Sequence, residues 1–386
     1  MATDVIPRRY RQAAQPFVGN NRVELLRDGV EAYPRMLAAI EAAREQCLLE
    51  MYWFDSDHAG RRFADALGAA ARRGVEVAVI YDDIGSIGTD PLMFEELKAA
   101  GAQVRVFNPV APWRRRFRLD RLTLRDHRKI LVVDGEVGFT GGCNLAAAWL
   151  PIDDGGRGWR DDAVRVEGPA VRGLTSSVLR TWHALGGPTL RRIGPSIPPS
   201  GTSGGQAVRV LAESYFRARR EISRAYVREL YHAKERAWIR NAYFIPDRSV
   251  RRALGHAARR GVDVRVIMPG EIDVEIVRHA SRSNWGYLLR HGVRLFEYQE
   301  GVLHAKSAVI DGRWSTIGTF NLDYLSLRSN LEINVSVRDP GFGATMEASF
   351  IRDLDQSREI DRTTFRFRPL GDRLLELLVY RFRKLL

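Results

Sequence analysis

The chain carries one segment twice, and this duplication limits what it can fold into. His127-Arg128-Lys129, four residues and Asp134 recur 177 positions later as His304-Ala305-Lys306, four residues and Asp311. A Gly stands seven residues beyond each Asp, at 141 and 318. Asn144 and Asn321 each follow their His by 17 positions. On a strand, with its period of two, the His and Lys of each copy share one face. The branched run Ile130 to Val133, like Val309 and Ile310, reads as that strand continuing into a core. Asp134-Gly135 and Asp311-Gly312 are hairpin turn signals. Only five of the 60 basic residues are lysine, and two of the five hold equivalent places in the repeat. Arginine is the habit of this chain, so lysine is demanded there.

The rest of the chain repeats one plan. Strands are expected at 23–26, 47–54, 75–81, 104–107 and 137–140, with helices over about 31–46, 60–73 and 92–100. The second half offers helices at 213–235, 248–260 and 280–291 and strands at 238–244, 262–268 and 293–298. Arg72-Arg73-Gly74-Val75-Glu76-Val77 and Arg259-Arg260-Gly261-Val262-Asp263-Val264 are near copies, each a helix end capped by Gly and the next strand's start. Alternation of this kind predicts an α/β fold, a sheet covered by helices. The expected units are a polar arm (1–20), a first half (21–193), a Gly/Ser/Pro-rich linker (194–206), a second half (207–357) and a basic tail (358–386).

With 45% hydrophobic and 28% charged residues the chain is globular, and 386 residues suffice for two cores. No apolar run approaches 18 residues, and the first residues lack an apolar leader core, so neither a spanning helix nor a signal peptide is expected. Cys47 and Cys143 supply neither a disulfide framework nor a metal cluster, and a reducing cytoplasm is the default. A net charge of +13 points to polyanionic partners, nucleic acid or anionic phospholipid, without choosing between them.

The doubled His-x-Lys-x4-Asp word, with its following Gly and Asn, resembles the signature of the phospholipase D superfamily. Its flanks, RLTLRDHRKILVVDGEVGFTGGCNL and GWRDDAVRVEGPAV, are similar to those of bacterial cardiolipin synthases, and the likeness covers roughly residues 20 to 340. It implies two phospholipase D-like domains related by a pseudo-twofold axis, sharing one composite site. It also implies carboxylates that orient the two imidazoles, drawn from Trp159-Arg160-Asp161 and Asn330-Leu331-Glu332. Spacing does not choose between Asp161 and its neighbour Asp162. Gly142 stands where many relatives carry Ser.

Such a set suits a phosphodiester, whose charge repels nucleophiles and whose leaving oxygen needs a proton. One neutral imidazole attacks phosphorus; the other, protonated, serves the leaving group and then acts as base. Lys129 and Lys306 neutralise the non-bridging oxygens, and Asn144 and Asn321 donate to them. The residues alone do not say which imidazole attacks; the resemblance implies that it is His127, with His304 its partner. Asp134 and Asp311, also in the candidate set, are read as ties between turn and neighbouring backbone. No cofactor or metal is expected. The remaining histidines, at 58, 183, 232, 256, 279 and 291, have no paired context.

The resemblance implies phosphatidyl transfer between phosphatidylglycerol molecules at the cytoplasmic face of a membrane, with no nucleic-acid partner. The alternatives are phospholipase D-type hydrolysis and a nuclease using the same site. Trp113-Arg114-Arg115-Arg116-Phe117-Arg118 is a candidate headgroup contact. At the C-terminus Leu374, Leu375, Leu378, Phe382, Leu385 and Leu386 share one helical face opposite Arg373, Glu376, Arg383 and Lys384, a pattern suited to a membrane interface.

Overall fold

The computed structural model describes residues 16–111, 123–191, 193, 205–213, 220–272 and 275–381. The Trp113 to Arg118 cluster, most of the linker and residues 382–386 lie outside them. The chain opens with β1 (Val18–Arg27), α1 (Asp28–Ala42), β2 (Gln46–Met51), α2 (His58–Arg72), β3 (Glu76–Asp82), α3 (Pro91–Ala99) and β4 (Gln103–Phe107). It continues with β5 (Lys129–Val133), β6 (Val137–Gly141), β7 (Asp162–Glu167) and α4 (Val171–Ala184). The second half supplies β8 (Gln206–Glu213), α5 (Glu221–His232), β9 (Arg236–Asn241), α6 (Arg248–Arg259), β10 (Asp263–Glu271), α7 (Glu275–Arg290) and β11 (Arg294–Val302). Then follow β12 (Lys306–Ile310), β13 (Trp314–Gly318), α8 (Tyr324–Arg328), β14 (Glu332–Arg338) and α9 (Pro340–Asp355). β15 (Ser357–Glu359), α10 (Arg362–Arg366) and α11 (Leu370–Arg381) close the described chain.

All fifteen strands among the described residues belong to one sheet. Each half contributes seven in the same order, β4-β3-β2-β5-β6-β7-β1 and β11-β10-β9-β12-β13-β14-β8, and β1 meets β8 antiparallel between them. Strands β2, β3 and β4 run parallel, as do β9, β10 and β11; the motif strands and their partners are antiparallel. Strand β1 begins inside the expected arm, and β8 takes up the last residue of the expected linker.

Apolar residues on alternate sides of the motif strands explain the layering. Leu131 and Val133 face a core under α1 to α3 that includes Met36, Phe63 and Phe94. Ile130 and Val132 face a second core, which also takes Val309, Ile317 and Val335 from the other half and Trp182 and Phe350 from α4 and α9. Strands buried on both faces read as continuous apolar runs, as these do. The shared core is what joins the halves. Neither α4 nor α9 stands out from the sequence: Gly, Ser and Thr interrupt α4, and two glycines open α9.

Candidate active site

Each motif strand begins at its lysine, so the histidine lies just ahead of it rather than within it. Two short parallel bridges between the halves fix those histidines. The His127 amide donates to the Leu331 carbonyl at 3.0 Å, and the Leu331 amide donates to Arg125 at 2.9 Å. In the mirror arrangement His304 donates to Arg160 at 2.7 Å and Arg160 to Val302 at 2.9 Å. The residue after each bridge is a carboxylate, and each carboxylate reaches the histidine of the opposite half. His127 Nδ1 lies 3.1 and 3.2 Å from the Glu332 oxygens, and His304 Nδ1 lies 2.7 Å from Asp161 Oδ2. Asp162 points to the other side of β7, toward Ser307, Arg160 and Arg240. With Asp161 or Glu332 ionised, the adjoining Nδ1 carries a proton, so Nε2 faces the site, with its lone pair in a neutral imidazole and with a proton to give in a charged one.

The environments of the two pairs differ. Burial lowers the His127 pKa, the Lys129 charge lowers it further, and Glu332 opposes both. Burial pushes Glu332 up, but His127, Lys129 and the Thr319 hydroxyl outweigh it and its carboxyl ends below the ordinary value. Ser326 adds a further donor at 2.7 Å. Asp161 is pushed up to about 6 by burial, against the pull of Lys306 and the Trp149 indole, whose N–H donates to it at 2.8 Å. Thr319 donates to Glu332 in the second copy, whereas at the equivalent Gly142 an added Cβ would lie 2.1 Å from Asp161 Oδ1. The carboxylate itself fills the space a side chain would need. The missing hydroxyl is therefore replaced by the Trp149 indole.

Both lysines are fully buried. Lys129 donates to the His127 carbonyl at 2.7 Å, lies 4.9 Å from the Tyr52 ring, and is brought down to about 7 by burial, against Glu332. Lys306 stands 2.9 Å from His304 Nδ1 and also donates to the His304 carbonyl. Asn144 accepts from the Trp53 amide at 3.1 Å, and the buried Asn321 Oδ1 has no hydrogen-bond partner among the described residues. Aromatic rings hold the imidazoles edge-on: Tyr52 lies 5.0 Å from His127, and Trp149 lies 5.4 Å from His304. Neither ring carries a spacing signature, so neither was readable from the sequence. The imidazoles keep 9% and 7% of their surface exposed, so substrate meets them in a nearly dry site.

Asp134 and Asp311 do not join this group. They sit at the far end of their strands, about 16 Å from the lysines by strand rise. Asp134 accepts from the amides of Arg44, Glu45 and Gln46 at 2.8–2.9 Å, and Asp311 from those of Lys234, Glu235 and Arg236 at 2.9–3.0 Å. Both take positive φ, 52° and 53°, followed by Gly135 and Gly312 at 66° and 60°. Their chemistry is that of a turn tied to the preceding helix–strand loop.

Known proteins resemble this chain over most of its length. The family model described as "Cardiolipin synthase, PLD-like domain" matches residues 36–151 and 226–354. A cardiolipin synthase of Alkalihalophilus pseudofirmus is 34% identical over 370 residues, covering 95% of this chain and 73% of that one. Cardiolipin synthase A of Pseudomonas aeruginosa is 36% identical over 376 residues, covering 95% and 75%. Among solved structures, a phosphatidylserine synthase from Haemophilus influenzae superposes with a TM-score of 0.71 at 13% identity, over 97% of this chain and 98% of its own. A polyphosphate kinase from Porphyromonas gingivalis gives 0.62 at 14% identity, over 94% and 52%. The fold, the doubled motif and these relatives together place the chain in the cardiolipin synthase family of phospholipase D-like proteins.

Proposed function

We propose that the protein moves a phosphatidyl group from one phosphatidylglycerol to a hydroxyl of another, releasing glycerol. The observation that carries this reading is the pair of histidines, each held by a carboxylate from the opposite half and each followed by a buried lysine. His127 Nε2 attacks phosphorus while the P–O bond to glycerol breaks, and protonated His304 gives its proton to the departing oxygen. His304 then takes the proton of the second lipid's hydroxyl. That oxygen attacks phosphorus and releases His127. Glu332 stabilises the positive charge that His127 carries in the intermediate, and Asp161 does the same for His304. Lys129 and Lys306 balance the non-bridging oxygens. The reaction takes place at the membrane surface where these lipids reside. Among the described residues no helix is long and apolar enough to cross a membrane.

The test is turnover of phosphatidylglycerol vesicles in chelator, beside a parallel incubation with labelled DNA. Cardiolipin and glycerol in equal amounts are expected, with the DNA intact. Phosphatidic acid as the main product would favour hydrolysis, and cleaved DNA the nuclease reading.

The two ionisations define a pH window. Asp161 must be ionised, and its charge is lost as pH falls through about 6; Lys129 must be protonated, and its charge is lost as pH rises through about 7. The profile of kcat/KM, which reports the free enzyme, is therefore expected to be a narrow bell between these limbs. In kcat the alkaline limb moves up, because bound phosphate holds the Lys129 proton. A flat kcat/KM from pH 5 to 9 would contradict both roles.

A further inference from the structure

Helix α11 docks on the protein by its charged face and turns its leucines outward. Glu376 is buried between Arg282 at 3.0 Å and Arg368 at 2.7 Å, and Val379 packs with Ile245, Val277 and Ala280. At 100° per residue the opposite side carries Leu370, Leu374 and Leu378, which are 72%, 68% and 59% exposed. This inverts the face that an amphipathic helix ordinarily buries. Phe367, 76% exposed, extends the apolar ridge into the turn before the helix.

Beside the ridge lies a cleft of about 430 Å³ formed by α7, α10 and α11. Arg290, Arg362, Arg366, Arg368 and Arg373 line it, and Phe365 is part of its floor. Arg368 is committed to Glu376, but the other four make no ion pair among the described residues. Uncompensated guanidiniums over an apolar floor suit a phosphate that carries acyl chains. Only the C-terminal end of α11, at Val379, approaches the active site; the arginine cleft lies toward the other end of α7. Ile245, on which α11 packs, donates its amide to the carbonyl of Leu322, the neighbour of Asn321.

We infer that the leucine ridge of α11 inserts into an anionic phospholipid bilayer while the arginine cleft takes a headgroup phosphate, holding the second half against the lipid surface. This rests on the reading of the substrates as anionic phospholipids. Leucines and phenylalanine supply depth, and the arginines supply the preference for anionic lipid.

Two variants of the full chain test it: Leu374→Glu with Leu378→Glu, and Arg290→Glu with Arg362→Glu. All four residues are exposed, so both proteins should fold, which circular dichroism checks. Flotation with phosphatidylcholine vesicles, with and without phosphatidylglycerol, is the first measurement. The leucine variant is expected to lose at least about tenfold in vesicle affinity, even at high salt, since two inserted side chains are removed. The arginine variant should lose the preference for phosphatidylglycerol. Turnover of short-chain, monomeric phosphatidylglycerol should stay at the parent level in both. Parent-level vesicle binding by the leucine variant would overturn the proposal. So would a fall in parent mass from dimer to monomer in that variant, because a second copy would then cover the ridge. If the parent turns over neither vesicle nor monomeric lipid, the phosphatidyl-transfer reading fails, while flotation still decides the anchoring surface.

Discussion

Replacing His127 by alanine is expected to reduce turnover by more than about 10⁴-fold with the fold intact, because no covalent intermediate can then form. The His304→Ala variant should fail differently. Without a proton for the departing glycerol, ordinary lipid reacts slowly. A lipid with an activated leaving group needs no such proton and should still phosphorylate His127. The second step then lacks its base, so the intermediate should accumulate and be found by peptide mass spectrometry on His127. The same label trapped on His304 in the His127→Ala variant would reverse the assigned roles. More than about a tenth of parental turnover in either variant would sink the composite site.

The largest loss of stability is expected at Asp353, on α9. Its carboxylate accepts from Arg27 at 2.7 Å, from Arg160 at 2.8 Å through each oxygen, and from Arg240 at 2.5 Å. These arginines come from β1, the bridge before β7, and β9, so one carboxylate pins both halves to the helix between them. Arg160 and Arg240 are also held by Asp162. Burial alone would raise the Asp353 pKa, but Arg240 and Arg160 outweigh it and hold the carboxyl well below the usual range. Asp353→Asn keeps the shape and removes the charge, leaving three guanidiniums with too little compensation. A cost of about 3–5 kcal/mol is expected, read as a lower urea midpoint. The stabilisation is present above the ordinary aspartate pKa and lost as pH falls through the depressed folded value, so parent and variant should converge in acid. Equal midpoints at pH 7 would show that the cluster is better described as neutral packing. Arg160 immediately precedes Asp161, so the same variant should also lower activity.

Much of this was legible in the sequence because it is local. Strand and helix rhythm follows side-chain period, and Gly74 and Gly261, both at φ 91°, end their helices where the repeated Arg-Arg-Gly-Val words place them. The His, Lys and Asn residues announced themselves by recurring at fixed spacing. What sequence could not supply is phase and partner. Alternation along extended backbone at the start of β7 makes Asp161 and Asp162 face opposite ways, but which faces His304 depends on a bridge to a segment 143 residues away. The crossing of carboxylates between halves is likewise a property of topology. For α11 the periodicity gives two faces correctly. The ion pairs of Glu376 with Arg282 and Arg368 decide which is docked, and neither partner is marked by spacing.

On the proposed mechanism, the exchange of carboxylates also governs when the chemistry becomes possible. A chain made from its N-terminus exposes His127 some 200 residues before Glu332 exists, since 205 positions separate them. In that interval the first half can collapse onto its own core, as domains do during synthesis. Its imidazole, however, has no carboxylate to fix its tautomer, and its lysine lacks the second one across the cleft. Reactivity toward phosphodiesters is therefore withheld from the nascent chain and from any proteolytic half. It switches on only when β14 joins the sheet, so catalytic competence itself reports that both halves have docked in register.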